Sequence, residues 1–469
     1  MEQYTAAPEP RSNGSSSSSA HASLAVIGLK LREMKLFDPI DRQVKIAQKT
    51  VRYTPTQKLL QAFVGLLAGV QGIVEVNTRL RTDRTLQSAF GLGGCAEQSV
   101  IQETLDACTE ANVAEMEAAI DRIFQTHSQA FGHDYASSYQ ILEVDMSGQP
   151  CGRKAECSTK GYFAKQRNRR GRQLGRVVAS RSHEIVVDRL FAGTVQLAAA
   201  FEPLVEAAER TRGLEGDAGE ARRRRTILRV DSGAGSVKAI NGALSRGYRY
   251  HGKDCSSQRA ERLAESVTEW IDDPKGGGRQ MGYVTEEASD YVAPVVRVAV
   301  RCPQAKGGFA VAVLVSALLP HEVREEARLD AALQAPPQAE LLAYVYFYDE
   351  RGGTVEIEIK GDKQGLGMTK RNKKRMPAQR ILTQLLTLAH NVLIWAKAWL
   401  TPSVPSLTGY GIKRLIRDVL GIPGFAEFDP QGRIQRIVLN QASRLAVHCH
   451  SALQSLVKSL SVDVTLGET

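Results

Sequence analysis

The sequence predicts an α/β protein, a mixed-sheet core preceded by a helical region, and three features carry that expectation. In Tyr139–Gly148, Ile141, Glu143 and Asp145 alternate with Leu142 and Val144, which reads as a strand, and a second strand, Thr226–Val230, likewise runs into an acid, Asp231. Leu59, Leu60, Phe63, Leu66, Leu67 and Val70 recur at three and four, the period of a helix. A chain of 469 residues, 43% of them hydrophobic, is also long enough to bury more than one core.

In chain order, residues 1–23 are rich in serine. They lack the charged start and apolar run of a secretory signal, and read as a disordered tail. Leu24–Val51 starts as a strand-like run and continues as a mixed basic segment. Thr54 is a candidate N-cap, with Gln57 at the capping-box position. Helices continue through Ala130, making 24–135 a helical region. Its short helices and the turn at Gly91 suit a helix-turn-helix DNA reader, as they suit any helical bundle.

The strand carrying Asp145 opens a second region, 136–400, and its last residues bring the acid to the sheet's rim before a turn at Ser147-Gly148. Strands Gly175–Ser180 and Glu184–Leu190 follow, then a helix over Val195–Arg210, then Thr226–Val230 ending at Asp231. That order of elements is the order of an RNase H-like fold. The glycines after Asp231 do not make a dinucleotide loop, since Lys238 stands at the third glycine position. They read instead as letting the turn pass beneath a substrate. A β-rich insertion spans about 270–335, with Val292–Val300 and Phe309–Leu319 joined as a hairpin. Trp270 reads as a core residue before a base-stacking one. His321–Ala343 is helical, broken at Pro336-Pro337. Ile381–Leu400 is apolar but carries Gln384, His390, Asn391 and Lys397, so it reads as a buried helix closing the core and not as a membrane span. Residues 401–469 form a C-terminal region with a short helix near Leu445–Leu460.

The net charge is +10 and the pI about 9.2, which favours a polyanionic partner. The charge is clustered. Arg153–Arg181 holds ten Lys or Arg against one acid, Glu156. Within it, Arg167, Arg169, Arg170 and Arg172 read as a phosphate-binding surface, because one-sided charge repels itself unless a polyanion offsets it. A second run includes Lys370, Arg371, Lys373 and Lys374. Seven cysteines without a CxxC pair fit reduced thiols in a cytosol, and Cys151, Cys157, His448, Cys449 and His450 lack the spacing of a zinc finger.

Three acids from separate elements suit phosphodiester chemistry: Asp145 and Asp231 at strand ends and Glu356 on a later helix. Hard divalent cations prefer carboxylate oxygens, and two metals about 4 Å apart activate the nucleophile and stabilise the leaving oxygen. The residues therefore point to a metal-dependent nuclease or transferase acting on DNA. Glu358 is a rival third acid.

These motifs together resemble the insertion-sequence DDE transposases of bacteria, over about 140–400. The resemblance rests on VDMSG with Asp145, RVDSG with Asp231, YDERGGTVEIEIKGDK with Glu356, and the basic stretch and LAHNVLIWAK that follow. It implies that Asp145, Asp231 and Glu356 are the catalytic, metal-binding triad, holding two Mg²⁺ ions for which Mn²⁺ can substitute. Tyr348, Arg351 and Lys363 match the accompanying Tyr-Arg-Glu-Lys signature, which in that family contacts the transposon end. Four residues separate Arg351 from Glu356 where the family has three, and Gly352-Gly353 is expected to absorb the extra one as a bulge. The resemblance further implies strand cleavage at terminal inverted repeats of double-stranded DNA, strand transfer into target DNA, a homodimer in the end complex, and a cytoplasmic, nucleoid-associated protein with no membrane partner. An inactive DNA-binding relic and a nuclease without strand transfer are the alternatives.

Overall fold

The computed structural model describes residues 15–163, 166, 168–327 and 338–468. They fall into two units, Phe124–Ile359 and a second built from both chain ends, Met1–Ile123 with Lys360–Thr469.

The middle unit is a mixed sheet of ten strands among the described residues, faced by helices. Its first strands are β1 (Gln140–Pro150), β2 (Arg170–Ala179) and β3 (Glu184–Ala192), followed by helix α1 (Leu197–Arg212). Then come β4 (Thr226–Val230), α2 (Val237–Ser245), β5 (Arg249–Lys253) and α3 (Ser257–Ala264). β6 (Gln280–Tyr283), β7 (Val296–Pro303) and β8 (Phe309–Ser316) complete the longer strands. Helices α4 (Pro320–Ala327) and α5 (Gln338–Asp349) follow. The order across the sheet is β3-β2-β1-β4-β5-β8-β7-β6, with two-residue strands Thr159–Lys160 beside β2 and Ile271–Asp272 beside β6. β1 runs parallel to β4, and β4 to β5, while β2 and β3 are antiparallel.

Alternation sorts the side chains onto two faces. Leu142, Val144, Leu228 and Val230 pack with Ala200, Phe201 and Leu204 of α1. Tyr139, Ile141 and Ile227 pack on the other face with Leu342, Val345 and Phe347 of α5. The segment read as an insertion is not a separate layer. β8 pairs with β5, so the hairpin of β7 and β8 extends the same sheet. Pro336-Pro337 lies outside the described residues.

The unit of the two chain ends is largely helical. Thr54 caps Pro55–Leu67 through the capping box with Gln57, as the sequence predicts. Three expectations change here. The run at Leu24 is a helix, Ala22–Glu33, because an apolar run has no period to separate strand from helix. Ser16–Ser19, assigned to the disordered tail, is a strand paired antiparallel with Gly424–Phe428, its backbone bonds outweighing its polar composition. The buried helix Met376–Leu400 packs against Pro55–Leu67 and Gln98–Ala107, so it completes this unit's core and not that of the sheet unit. Ile434–Asn440, Asp463–Gly467 and helix Ala446–Val457 form the rest of the C-terminal region. No helix among the described residues is long and apolar enough to cross a membrane.

Candidate active site

Asp145 and Asp231 lie on adjacent parallel strands at the same level. Val144 pairs with Val230, and each acid is the next residue. β1 does not end there, however. It runs on through Ser147-Gly148 to Pro150 along β2, so Asp145 is mid-strand and the expected turn is absent. Its position is a rim only on the β4 side, where the partner strand stops at Val230. Asp231 turns away as the cap of a short 3-10 turn, its carboxylate accepting from Gly233 N at 2.8 Å. Gly235 is needed for a different close approach than expected. A Cβ there would sit 1.9 Å from the Lys253 carbonyl oxygen, so the loop passes against β5.

The rows leading to the two acids carry opposite charges. Glu143 on β1 faces Arg229 on β4 in register, and both are buried. Arg229 Nε donates to Glu143 Oε1 at 3.0 Å. Arg229 Nη1 also donates to the Phe347 carbonyl near the C-terminus of α5, at 2.7 Å. Glu143 Oε2 accepts from Val355 N, the first residue of helix α6 (Val355–Gly365), at 3.0 Å. Helix ends leave carbonyls and amides unpaired, and this ion pair takes one of each. It therefore ties the end of one helix and the start of the next to the acid-bearing strands.

The link between those helices brings in the rest of the site. Tyr348 lies on α5, but Arg351 is in a 3-10 turn, Glu350–Gly353, and the chain breaks at Thr354 before α6 starts. Tyr348 and Arg351 thus do not share one helix face, and the two glycines sit in a turn, not in a helical bulge. Arg351 is 5% exposed. Its Nη2 lies 3.0 Å from Asp145 Oδ2, and Nη1 lies 3.5 Å from Glu356 Oε1. The closer contact lacks the alignment of a hydrogen bond, and Nε and Nη2 have no hydrogen-bond partner among the described residues. Arg351 is therefore buried among the acids, whereas the signature implies a contact with the transposon end.

Burial pushes the Asp145 carboxyl up to about 6, opposed by Arg351 and reinforced by the charges of Asp231 and Glu356. Burial also works against the Arg351 charge, but Asp145 and Asp231 outweigh it and raise its pKa. Tyr348, partly buried, is pushed up to about 12, chiefly by burial. Glu358 points elsewhere: its carboxylate lies 3.0 Å from His183 Nδ1, and its side chain is 11% exposed against 60% for Glu356. Two residues along a helix is about 200° of rotation, so the two acids leave it on different sides.

The basic surface is smaller than the sequence predicts. Arg172 is buried in β2, and its Nε donates to the Glu156 carbonyl at 2.8 Å, so it cannot meet a phosphate from outside. Arg176, also buried, is held by Asp188 through two bonds of 2.7 Å. The outward–inward alternation of a strand is invisible when its residues are read as a charge run. Arg169 is exposed, Arg170 is half-buried with Nη1 on the Ser158 carbonyl, and Arg167 lies outside the described residues. Lys363, Lys373 and Lys374 belong to the other unit. Lys374 is exposed there, while Lys373 is buried with its ammonium on Gln102 Oε1.

Sequence reasoning missed Glu143 and Arg229. Their signal is present in LEVD and LRVD, where opposite charges precede the two acids by two residues on neighbouring strands.

No family model and no curated protein matches the chain. Among solved structures, it is similar to the cryo-EM structure of a piggyBac transposase synaptic complex with hairpin DNA, at a TM-score of 0.46 and 11% identity, over 95% of this chain and 84% of that one.

Proposed function

We propose that this protein is a DNA transposase whose catalytic core is RNase H-like, cutting DNA at the ends of its element and joining those ends to target DNA. The observation that carries the reading is the convergence of Asp145 and Glu356 on Arg351, with Asp231 level with Asp145 on the adjacent parallel strand and its charge reaching Arg351. The strand order β3-β2-β1-β4-β5, with β1, β4 and β5 parallel, supports the RNase H-like assignment. The sequence motifs at the three acids support the transposase assignment.

The three carboxylates suit Mg²⁺ in donor chemistry, being hard oxygens in a place where burial and like charge leave Asp145 short of positive charge. Among the described residues no three such groups stand as a ready cage, and Arg351 now supplies the cation. Its contact with Asp145 at 3.0 Å lacks hydrogen-bond alignment. Asp145, Asp231 and Glu356 would hold the ions, which when bound supply Lewis-acid charge at the scissile phosphate. The chain's own part is to orient. The Glu143–Arg229 pair fixes the helix ends, and the Arg351 charge opposes the upward shift of the Asp145 carboxyl. In each step an oxygen nucleophile, water or a DNA 3′-hydroxyl, attacks phosphorus in line as the opposite oxygen leaves with the electron pair.

The test incubates the full chain with duplex DNA carrying the inverted repeats that flank its gene, with Mg²⁺ or EDTA. Cleaved and joined products that need Mg²⁺ are expected. Cleavage without joining would make it a nuclease, and DNA binding with neither would make it a relic in which Arg351 permanently closes the site.

A further inference from the structure

A second polar site lies wholly within the unit of the two chain ends. Gly365–Lys373 leaves α6 as a loop that packs on Gln71–Ile73. Gln71 Nε2 donates to the Gly365 carbonyl at 2.9 Å. Gly367 has φ +63°, and a Cβ there would come within 3.0 Å of the Gln71 carbonyl oxygen, so only glycine allows the turn. The two segments enclose a cavity of about 130 Å³ lined by Gly72, Ile73, Leu382, Lys370, Arg371 and Lys373.

Three cations line the cavity, and Asp106 is the acid whose charge reaches Lys373. Arg371 is 6% exposed, its Nε donates to the Leu366 carbonyl at 3.2 Å, and its Nη2 has no hydrogen-bond partner among the described residues. Lys373 is also buried, and Lys370 is exposed at the rim. Glu75 is the acid whose charge reaches Arg371, but its carboxylate is engaged with Gln71 N, Gly72 N and Arg79. Burial pulls the Arg371 guanidinium down to about 10. A buried guanidinium with an open donor is costly unless an acceptor reaches it. The space is large enough for one phosphate group.

We propose that Lys370, Arg371 and Lys373 form a pocket for a single phosphate group, taken either from a DNA backbone or as the free anion. The planar guanidinium offers two parallel donors to phosphate oxygens, and the lysines add charge. The site needs none of the cleavage chemistry proposed above, so its failure and that of the active-site reading are separable.

Calorimetric titration of the full-length protein with inorganic phosphate, against potassium chloride at equal ionic strength, tests it. Wild type is expected to bind phosphate. Arg371→Met should abolish the heat, and Lys370→Gln, at an exposed position, should weaken it several-fold. In parallel, the salt dependence of binding to a 20-bp duplex separates the sources. A slope lower by about 0.9 in Arg371→Met identifies a backbone phosphate. An unchanged slope with lost phosphate binding identifies the free anion. No phosphate heat beyond that of chloride in wild type overturns the proposal, as does undiminished binding in Lys370→Gln, which decides the matter if Arg371→Met does not fold.

Discussion

Asp145 shows how far a single residue's role can be read. Its place in an alternating segment is in the sequence, and so is Asp231, in a similar motif at the end of what proves to be the neighbouring strand. What the sequence does not carry is the place of Arg351, five positions before Glu356 and so off its helix face, yet brought between two acids by a turn. Arg172 fails the other way, since a count of charges ignores which face of a strand each occupies. His251 on β5 gives a test at this scale. It is fully buried, against Phe347 at 5.0 Å, with Nδ1 3.0 Å from Ser316 Oγ. Burial lowers its pKa to about 3 from 6.5. Between those values the unfolded chain binds a proton that the native protein does not, so stability is full above about 6.5 and falls as pH drops. Relative to His251→Phe, wild type should lose about 2 kcal/mol between pH 7 and pH 5, at about 1.4 kcal/mol per unit below 6.5. Parallel denaturant curves in the two proteins would show that His251 titrates normally.

At the scale of elements, the strands and the helix α1 were legible from period alone, because alternation and the 3.6-residue repeat reflect burial directly. The start of helix α6 was only partly legible, since Gly352-Gly353 marks an irregularity but reads as a bulge as readily as a break. The break is stabilised from a distance, by Glu143 on Val355 N and Arg229 on the Phe347 carbonyl. Removing one member of a buried ion pair strands the other. Glu143→Gln and Arg229→Met should each cost about 3–5 kcal/mol, while the double variant should cost clearly less than their sum. Additive losses in chemical denaturation would mean that the pair does not act as one clamp. DNA cleavage should fall in the single variants even where the fold survives, because α6 carries Glu356.

At the scale of the whole molecule, the N-terminal helices looked self-sufficient, but their core draws on the far end of the chain. Met376–Leu400 packs on Pro55–Leu67, and Gly424–Phe428 pairs with Ser16–Ser19. Sequence order hides such closure, since neither segment carries a mark of its partner. Residues 1–123 expressed alone should therefore lack cooperative thermal unfolding, and co-expression with 360–469 should restore it. Cooperative melting of 1–123 alone would contradict the shared core. The sheet unit, 124–359, should melt cooperatively alone, since its strands pair within it.

The most direct test of the central claim is strand cleavage and joining by purified full-length Asp145→Asn, Asp231→Asn, Glu356→Gln and Glu358→Gln on end-containing duplex with Mg²⁺. Loss of several kcal/mol of charge stabilisation corresponds to about 100-fold or more in rate. The first three variants should fall by at least that factor while still binding DNA, and Glu358→Gln should retain cleavage, because its carboxylate faces His183 and not the acid cluster. Near-normal cleavage in Asp145→Asn, Asp231→Asn and Glu356→Gln would contradict the assignment of this site.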